Sequence, residues 1–115
     1  MRRLAIGFAA FAVIIASASA GLAAPPAAPN DTIAAILAHG DVVSASGKTF
    51  VFTYKPDGTF DASGLPGTYT VDGAKFCVTI DGLVDNDCAE YPPGKKSGDT
   101  FSVQGDIGPY TVSIH

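Results

Sequence analysis

Four tyrosines are the side chains in this sequence with the clearest capacity to hold a ligand. They are Tyr54, Tyr69, Tyr91 and Tyr110, and each stands in a stretch where apolar and polar residues alternate. Aromatic rings that point into a barrel commonly line a pocket, and their hydroxyls fix the orientation of what enters it. The alternative is that a domain this small fills its own interior with these rings. The short strands favour that alternative; the four tyrosines are the candidate ligand-binding residues.

A second group of polar side chains follows one predicted strand. Asp81, Asp85, Asn86 and Asp87 lie close together in the sequence. Calcium takes six to eight oxygen ligands, and a loop of this composition offers several. The spacing does not match a calcium-binding EF-hand loop, and a polar turn capped by its own side chains explains the same residues. We therefore predict no metal site.

The two histidines offer little for catalysis. His39 stands at the end of a predicted helix, where the helix dipole favours a cation, and His115 is the last residue given. Neither has an evident nucleophile or acid as a partner. We predict no catalytic residues, no cofactor and no enzymatic activity.

Cys77 and Cys88 are the only cysteines, so they have one possible pairing. A redox-active pair is normally spaced as C-x-x-C, and a zinc site needs two further ligands. A structural disulfide is the remaining interpretation. Closing a loop of this size stabilises the fold by about 3 kcal/mol in the chain-entropy description.

The first twenty residues have the pattern of an export signal. Arg2 and Arg3 precede an apolar run from Leu4 to Ala16, which is too short to span a bilayer, and Ala18-Ser19-Ala20 is an A-x-A cleavage site. An uncleaved N-terminal anchor is the alternative. We predict a signal peptide at 1–20 and a periplasmic or secreted protein, where an oxidising environment preserves disulfides.

The charge of the chain excludes several classes of partner. Without Arg2 and Arg3, five lysines stand against eleven acidic residues, a net charge of −6. Nucleic acids require clustered cations, and anionic lipid surfaces repel such a protein. No second hydrophobic span follows the signal peptide, so we expect no membrane span after cleavage.

The mature chain begins with an Ala/Pro-rich segment at 21–29, which reads as a flexible tether. A short helix is predicted at 30–39, where Asn30 or Asp31 can act as the N-cap and Gly40 can terminate the last turn. Apolar residues at helical spacing form one stripe on it, namely Ile33, Ile36 and Leu37.

From residue 41 onward the pattern has the period of two that is typical of strands, interrupted by turn residues. Pro56-Asp57-Gly58 and Asp72-Gly73 are the clearest turns. Seven or eight short strands result, at 42–44, 48–54, 59–63, 68–71, 74–80, 88–91, 100–104 and 109–114. Gly64-Leu65-Pro66-Gly67 is predicted to interrupt the chain between two of them.

The connections are too short for parallel crossovers, so the strands should pair as an antiparallel up-and-down meander. The predicted fold class is all-β and barrel-like, and the meander either closes or remains an open curved sheet. Alternation places Cys77 and Cys88 on the outer face of neighbouring strands. The predicted interior contains Phe50, Phe52, Tyr54, Phe60, Tyr69, Val71, Phe76, Val78, Ile80, Tyr91, Phe101, Val103, Tyr110, Val112 and Ile114.

Three motifs carry a resemblance to a known type of domain. They are Tyr54-Lys55-Pro56-Asp57-Gly58-Thr59, then Gly67-Thr68-Tyr69-Thr70-Val71-Asp72-Gly73, and then Phe76-Cys77-Val78. Over residues 32–114 the chain resembles small exported proteobacterial β-meander domains of a lipocalin-like type, which are largely uncharacterised. The length of the mature chain separately predicts a single barrel-like domain at 30–115. The resemblance implies no functional residues, because its motifs are turn and core residues.

These observations favour a non-enzymatic binding module of the cell envelope. The expected partner is a small apolar ligand in the barrel or an exported protein on its loops, and we expect a monomer. The alternative is an inhibitor or interaction protein that acts on an exported enzyme such as a protease. In that alternative the segment Ala23 to Pro29 would enter the cleft of the enzyme.

Overall fold

The computed structural model describes residues 25–115, so the predicted signal peptide lies outside the described residues. One helix, α1, spans Asp31–His39. Eight strands follow it: β1 Asp41–Ala45, β2 Lys48–Tyr54, β3 Thr59–Ala62, β4 Leu65–Asp72, β5 Lys75–Ile80, β6 Val84–Glu90, β7 Thr100–Gly105 and β8 Gly108–Ile114.

The strands form a closed antiparallel barrel in sequence order. Closure comes from β8, which pairs with β1 and places Ile114 opposite Asp41 and Val112 opposite Val43. The predicted all-β up-and-down barrel is therefore confirmed, and of the two predicted forms the closed one is correct. Closure satisfies the backbone hydrogen-bonding groups that the first and last strands of an open meander expose.

The turns of this meander alternate between two ends of the barrel. The β2–β3 and β4–β5 turns lie at the end where α1 enters β1, which we call the closed end. The β1–β2, β3–β4, β5–β6 and β7–β8 turns lie at the opposite end, which we call the open end. The helix therefore covers one end of the barrel only.

Helix α1 has both of its predicted end signals. Asn30 is the N-cap, and its side chain accepts a hydrogen bond from the Ile33 N–H at 2.9 Å. At the other end the Gly40 N–H donates to the Ile36 carbonyl, and Gly40 has a φ of 81°. A β-carbon on Gly40 would lie 2.7 Å from the Phe52 carbonyl oxygen, so the chain needs glycine at this turn.

The helix closes the barrel with its apolar stripe. Ile33 and Ile36 are fully buried, and they belong to one hydrophobic cluster with Phe76, Tyr91 and Val112. A second cluster contains Phe52, Phe60, Ala62 and Ile80. All of the side chains predicted to face inward are buried or half-buried, as alternation along the strands requires.

The structure corrects two predicted boundaries. The segment predicted to interrupt the chain is largely strand, because β4 begins at Leu65. Pro66 pairs with Asp61 in the β3–β4 ladder. A β-carbon on Gly67 would lie only 2.4 Å from the ring of Phe60, so a larger residue would clash with it. The glycine is there to admit this ring rather than to end a strand.

The second correction concerns β6. It begins at Val84 rather than at Cys88, so the polar residues predicted to form a loop are mostly strand. The pairing of β5 with β6 shifts register between Val78 and Ile80, and Asn86 has a φ of 47°. This irregularity inserts extra chain on β6 and returns the next residues to the alternating pattern.

The predicted disulfide is confirmed. Cys77 and Cys88 are directly opposite in the β5–β6 pairing, and their sulfurs are 2.05 Å apart. Phe76 and Val78, on either side of Cys77, contribute to the interior of the barrel. The disulfide therefore joins two neighbouring strands on the outer face.

The seam between β6 and β7 is held differently from the other strand pairs. Ala89 and Gly105 are its one registered backbone pair. Two carboxylates supply further bonds: Asp87 accepts from the Ile107 N–H at 2.9 Å, and Asp106 accepts from the Cys88 N–H at 3.0 Å. Side-chain carboxylates thus replace part of the backbone hydrogen bonding between β6 and β7.

The described part of the Ala/Pro-rich segment is exposed but attached to the closed end. The Ala27 N–H donates to the Asp72 carboxylate at 2.8 Å, and the Gly73 N–H donates to the Ala27 carbonyl at 3.1 Å. For Ala27 to enter the cleft of a partner, both of these bonds must break.

From residue 25 onward, no helix has the length and hydrophobicity that crossing a bilayer requires.

Candidate functional site

The barrel contains a cavity of about 80 Å³ that reaches the surface at the open end. Ile107 lines it while remaining 71% exposed, and Ala45 and Val84 border turns of the same end. The full lining is Val43, Ala45, Phe50, Phe52, Tyr54, Val78, Ile80, Val84, Asp87, Tyr91, Ile107 and Tyr110.

The size of the cavity limits what it can hold. Pockets for whole drug-sized ligands measure roughly 300–1,000 Å³, and an engineered cavity of about 150 Å³ holds a benzene ring. At about 80 Å³, this cavity accommodates one small group, such as a branched aliphatic side chain or the end of a longer ligand. The remainder of such a ligand would lie outside it, against the open end.

Three of the four predicted tyrosines line this cavity. Tyr54, Tyr91 and Tyr110 contribute to its wall. Tyr69 does not: its hydroxyl donates to the Lys55 carbonyl at 2.6 Å, at the closed end. It instead packs edge-on against Tyr54, with ring centroids 5.5 Å apart.

Aromatic rings also form the inner wall between the cavity and α1. Phe76 lies at the centre, with its ring centroid 5.7 Å from that of Tyr54 and 5.4 Å from that of Tyr91. These tilted and edge-to-face contacts are the arrangements that aromatic quadrupoles favour. They fix the rings of Tyr54 and Tyr91 and therefore the inner limit of the cavity.

Asp41, at the start of β1, is a buried acid that the sequence analysis did not identify. Its side chain is fully buried, and one carboxylate oxygen accepts a hydrogen bond from the Tyr54 hydroxyl at 2.9 Å. The other oxygen has no hydrogen-bond partner. Burial raises the pKa of Asp41 to about 7, and the Tyr54 hydroxyl opposes this shift only in part. Asp41 is two residues before Val43, so the alternation of side chains along β1 would have predicted that both face the interior of the barrel.

Asp87 is the second interior acid that the sequence analysis did not place. It stands opposite Val78, lines the cavity, and is 3% exposed. Its bond to the Ile107 N–H connects the wall of the cavity to the exposed residue at its mouth. The sequence contains the signal for this position, because Asp87 is two residues before Ala89 and alternation gives both the same face.

The hydroxyls in the cavity retain their protons. Burial raises the pKa of Tyr54 and of Tyr91 well above the usual value. The second cause is the neighbouring charge of Asp41 for Tyr54, and the neighbouring Tyr110 for Tyr91. Burial also raises the pKa of Tyr110 to about 12, although the Tyr91 hydroxyl lowers it. Neutral phenols donate hydrogen bonds; the Tyr54 hydroxyl already donates to Asp41, so Tyr91 and Tyr110 are the remaining phenols on the wall of a largely apolar cavity.

The residues considered for a calcium site do not converge. Asp81, Asp85 and Asn86 are exposed at the open end, whereas Asp87 points inward and is engaged by Ile107. Within residues 25–115 no three His, Cys, Asp or Glu side chains come together as a metal site would require.

No protein-family model, curated protein or solved structure matches this chain, so only its own residues bear on its function.

Proposed function

We propose that this protein is a non-enzymatic binding module whose barrel receives a small apolar group through its open end. The observation that carries the proposal is the cavity of about 80 Å³, apolar over most of its lining and open opposite α1. Burying one small aliphatic group there is favourable by roughly 1.5–3 kcal/mol.

The wall of the cavity supports a further detail. Tyr91 and Tyr110 line the wall, and both side chains are phenols that carry their proton at neutral pH. A ligand group that carries one hydrogen-bond acceptor at its tip is therefore favoured over a purely aliphatic one. Such placed donors give orientation in sites that are otherwise apolar.

The disulfide supports a location outside the cytoplasm. Bonds such as Cys77–Cys88 persist in oxidising compartments and are rare where thiols are kept reduced. We place the protein in the periplasm or the exterior, as a monomer.

The test is an amide-resolved NMR titration of the folded chain with isobutanol and with isobutane. We expect saturable shift changes at lining residues such as Val43, Val78 and Ile107. Ala45→Phe puts a large ring at the mouth of the cavity and should abolish these changes. Ser44→Phe is the matched control, because the neighbouring side chain is exposed and is not part of the cavity lining.

Two results would contradict the proposal. One is an absence of saturable shifts up to the solubility limit of both probes. The other is an equal response in wild type and in the Ala45→Phe variant, which would place the probes elsewhere on the surface.

A further inference from the structure

The open end presents more apolar surface than the cavity alone explains. Three large apolar side chains are exposed there: Leu65 at the start of β4, Leu83 in the β5–β6 turn and Ile107 in the β7–β8 turn. We call these three residues the rim. Leu83 is 50% exposed and Ile107 71% exposed. Ile107 also lines the cavity, and exposed apolar residues gathered at one end of a domain are typical of an interaction site.

The rim and the cavity differ in scale, and the difference indicates the kind of ligand. The cavity has space for one side-chain-sized group, whereas the rim spans the start of β4 and two turns of the same end. A free molecule small enough for the cavity leaves most of the rim uncovered. A protein segment that inserts one side chain and lays its backbone across the rim covers both, which is how anchor residues act in protein interfaces.

The charges at the open end indicate the composition of that segment. Lys48 is the one lysine at this end within the described chain, and it stands against four exposed carboxylates, Asp61, Asp81, Asp85 and Asp106. The other lysines lie at the closed end, where acidic residues offset them; they are Lys55, Lys75, Lys95 and Lys96.

Two of these carboxylates are fixed in place by the backbone. Asp61 accepts from the Gly64 N–H at 3.0 Å, and Asp106 accepts from the Cys88 N–H at 3.0 Å. Their charges therefore stay beside the turns that carry the rim, and no side-chain entropy is lost when a cation approaches them.

We infer that the open end docks a basic segment of a partner protein. One apolar side chain of that segment occupies the cavity, and flanking lysines or arginines face Asp61, Asp81, Asp85 and Asp106. This inference rests on the proposed function, because it requires the cavity to accept an apolar group. The same carboxylates disfavour fatty acids and anionic membranes, since like charges in contact are repelled.

The experiment uses three amidated pentapeptides as probes and measures their dissociation constants for the folded chain by calorimetry and NMR. The first has leucine between two pairs of lysines, the second replaces the lysines with glutamates, and the third replaces the leucine with glycine. We expect the first to bind at least roughly tenfold more tightly than either of the others. Raising the salt concentration should weaken its binding, because exposed charges are screened.

Two protein variants test the assigned surface. Asp81→Asn combined with Asp85→Asn should weaken the leucine–lysine peptide by roughly threefold to tenfold. Asp57→Asn combined with Glu90→Gln is the matched control, because it also removes two charges and both residues are exposed acids at the closed end. An equal effect of the two changes would overturn the assignment of the open end.

The remaining outcomes separate this inference from the proposed function. If isobutanol enters the cavity but the three peptides bind equally, the binding module stands and the basic partner segment is wrong. If hexylammonium binds as tightly as the leucine–lysine peptide, the ligand is a small organic cation, and the inference is again wrong. If isobutanol does not enter the cavity, the proposed function is wrong, and the inference that rests on it is wrong as well.

Discussion

The carboxylate of Asp87, on the inner face of β6, accepts a hydrogen bond from the backbone N–H of Ile107 at 2.9 Å. Ile107 lies in the β7–β8 turn, at the mouth of the cavity. The bond crosses a seam where Ala89 and Gly105 form the one registered backbone pair. A buried acid therefore does what a backbone carbonyl does at the other seams, and it fixes an exposed apolar residue in position.

Replacing Asp87 with alanine should lower the free energy of unfolding by about 1–3 kcal/mol, because the Ile107 N–H then loses its acceptor. Asp87→Asn keeps an acceptor oxygen and should retain most of the stability. Urea unfolding of the two variants and of Asp85→Ala, an exposed neighbour, measures the difference. Equal stability of Asp87→Ala and Asp85→Ala would show that the bond contributes nothing.

Gly105→Ala should destabilise the barrel by about 1–3 kcal/mol through overcrowding. A β-carbon at this position would lie 2.5 Å from an Asp87 carboxylate oxygen and 2.6 Å from a ring carbon of Tyr110. Thermal unfolding of Gly105→Ala, with the exposed Ser102→Ala in the same strand as control, gives the cost.

Gly105→Ala should lower the free energy of unfolding by less in the Asp87→Ala background than in wild type, since one of the two crowded partners has been removed. A double-mutant cycle measures this coupling. Strictly additive effects of Gly105→Ala and Asp87→Ala would show that the new β-carbon does not clash with the Asp87 carboxylate.

Asp41 predicts a specific dependence of stability on pH. Its pKa of about 7 in the folded protein lies above the ordinary 3.8 of an unfolded chain, so the folded state holds the proton more tightly. The contribution of Asp41 to stability is therefore greatest below pH 3.8 and declines as pH rises to about 7, by about 1.4 kcal/mol per pH unit. Above pH 7 it remains constant.

Asp41→Asn removes this titration. The difference in unfolding free energy between wild type and variant should therefore change by up to about 4 kcal/mol in total between pH 4 and pH 7, with wild type favoured at the acidic end. Denaturant unfolding across this range measures it, and Asp85→Asn serves as an exposed control. A difference that does not vary with pH would contradict the raised pKa.

Replacing both cysteines, Cys77→Ser with Cys88→Ser, should lower the free energy of unfolding by about 3 kcal/mol. The residues are 11 apart in sequence, so the bond closes a short loop across one strand pair. Denaturant unfolding of the variant, compared with wild type with and without reductant, gives the value. Reductant should lower the unfolding free energy of wild type to that of the variant. If reduced wild type stays much more stable than the variant, the serine side chains, and not the loss of the disulfide, destabilise the variant.

The strand pattern of this fold could be read from the sequence because its signals are local. Alternation placed Phe52, Phe76 and Val112 inside, and Asp72-Gly73 marked a turn. Closure could not be read in this way, because it depends on the pairing of β8 with β1, the two strands farthest apart in sequence. An open sheet and a closed barrel use the same alternation.

The polar part of the candidate site was missed for a different reason. Asp41 and Asp87 were not assigned to the interior because aspartate is rarely buried, although both continue the alternation of a strand. The register shift near Asn86 also conceals the start of β6, since the local period is broken there. A strict reading of the period from Ala89 and Val43 would have found both acids.

The uneven distribution of lysines has a consequence for how two proteins meet. Four exposed carboxylates stand against one lysine at the open end, whereas lysines and acids nearly balance at the closed end, so the barrel has an electric dipole along its axis with the cavity mouth at the negative pole. In the field of a basic surface such a dipole experiences a torque that turns the mouth forward before contact. A larger share of random collisions is then correctly oriented, so association is faster than the small size of the mouth alone would allow.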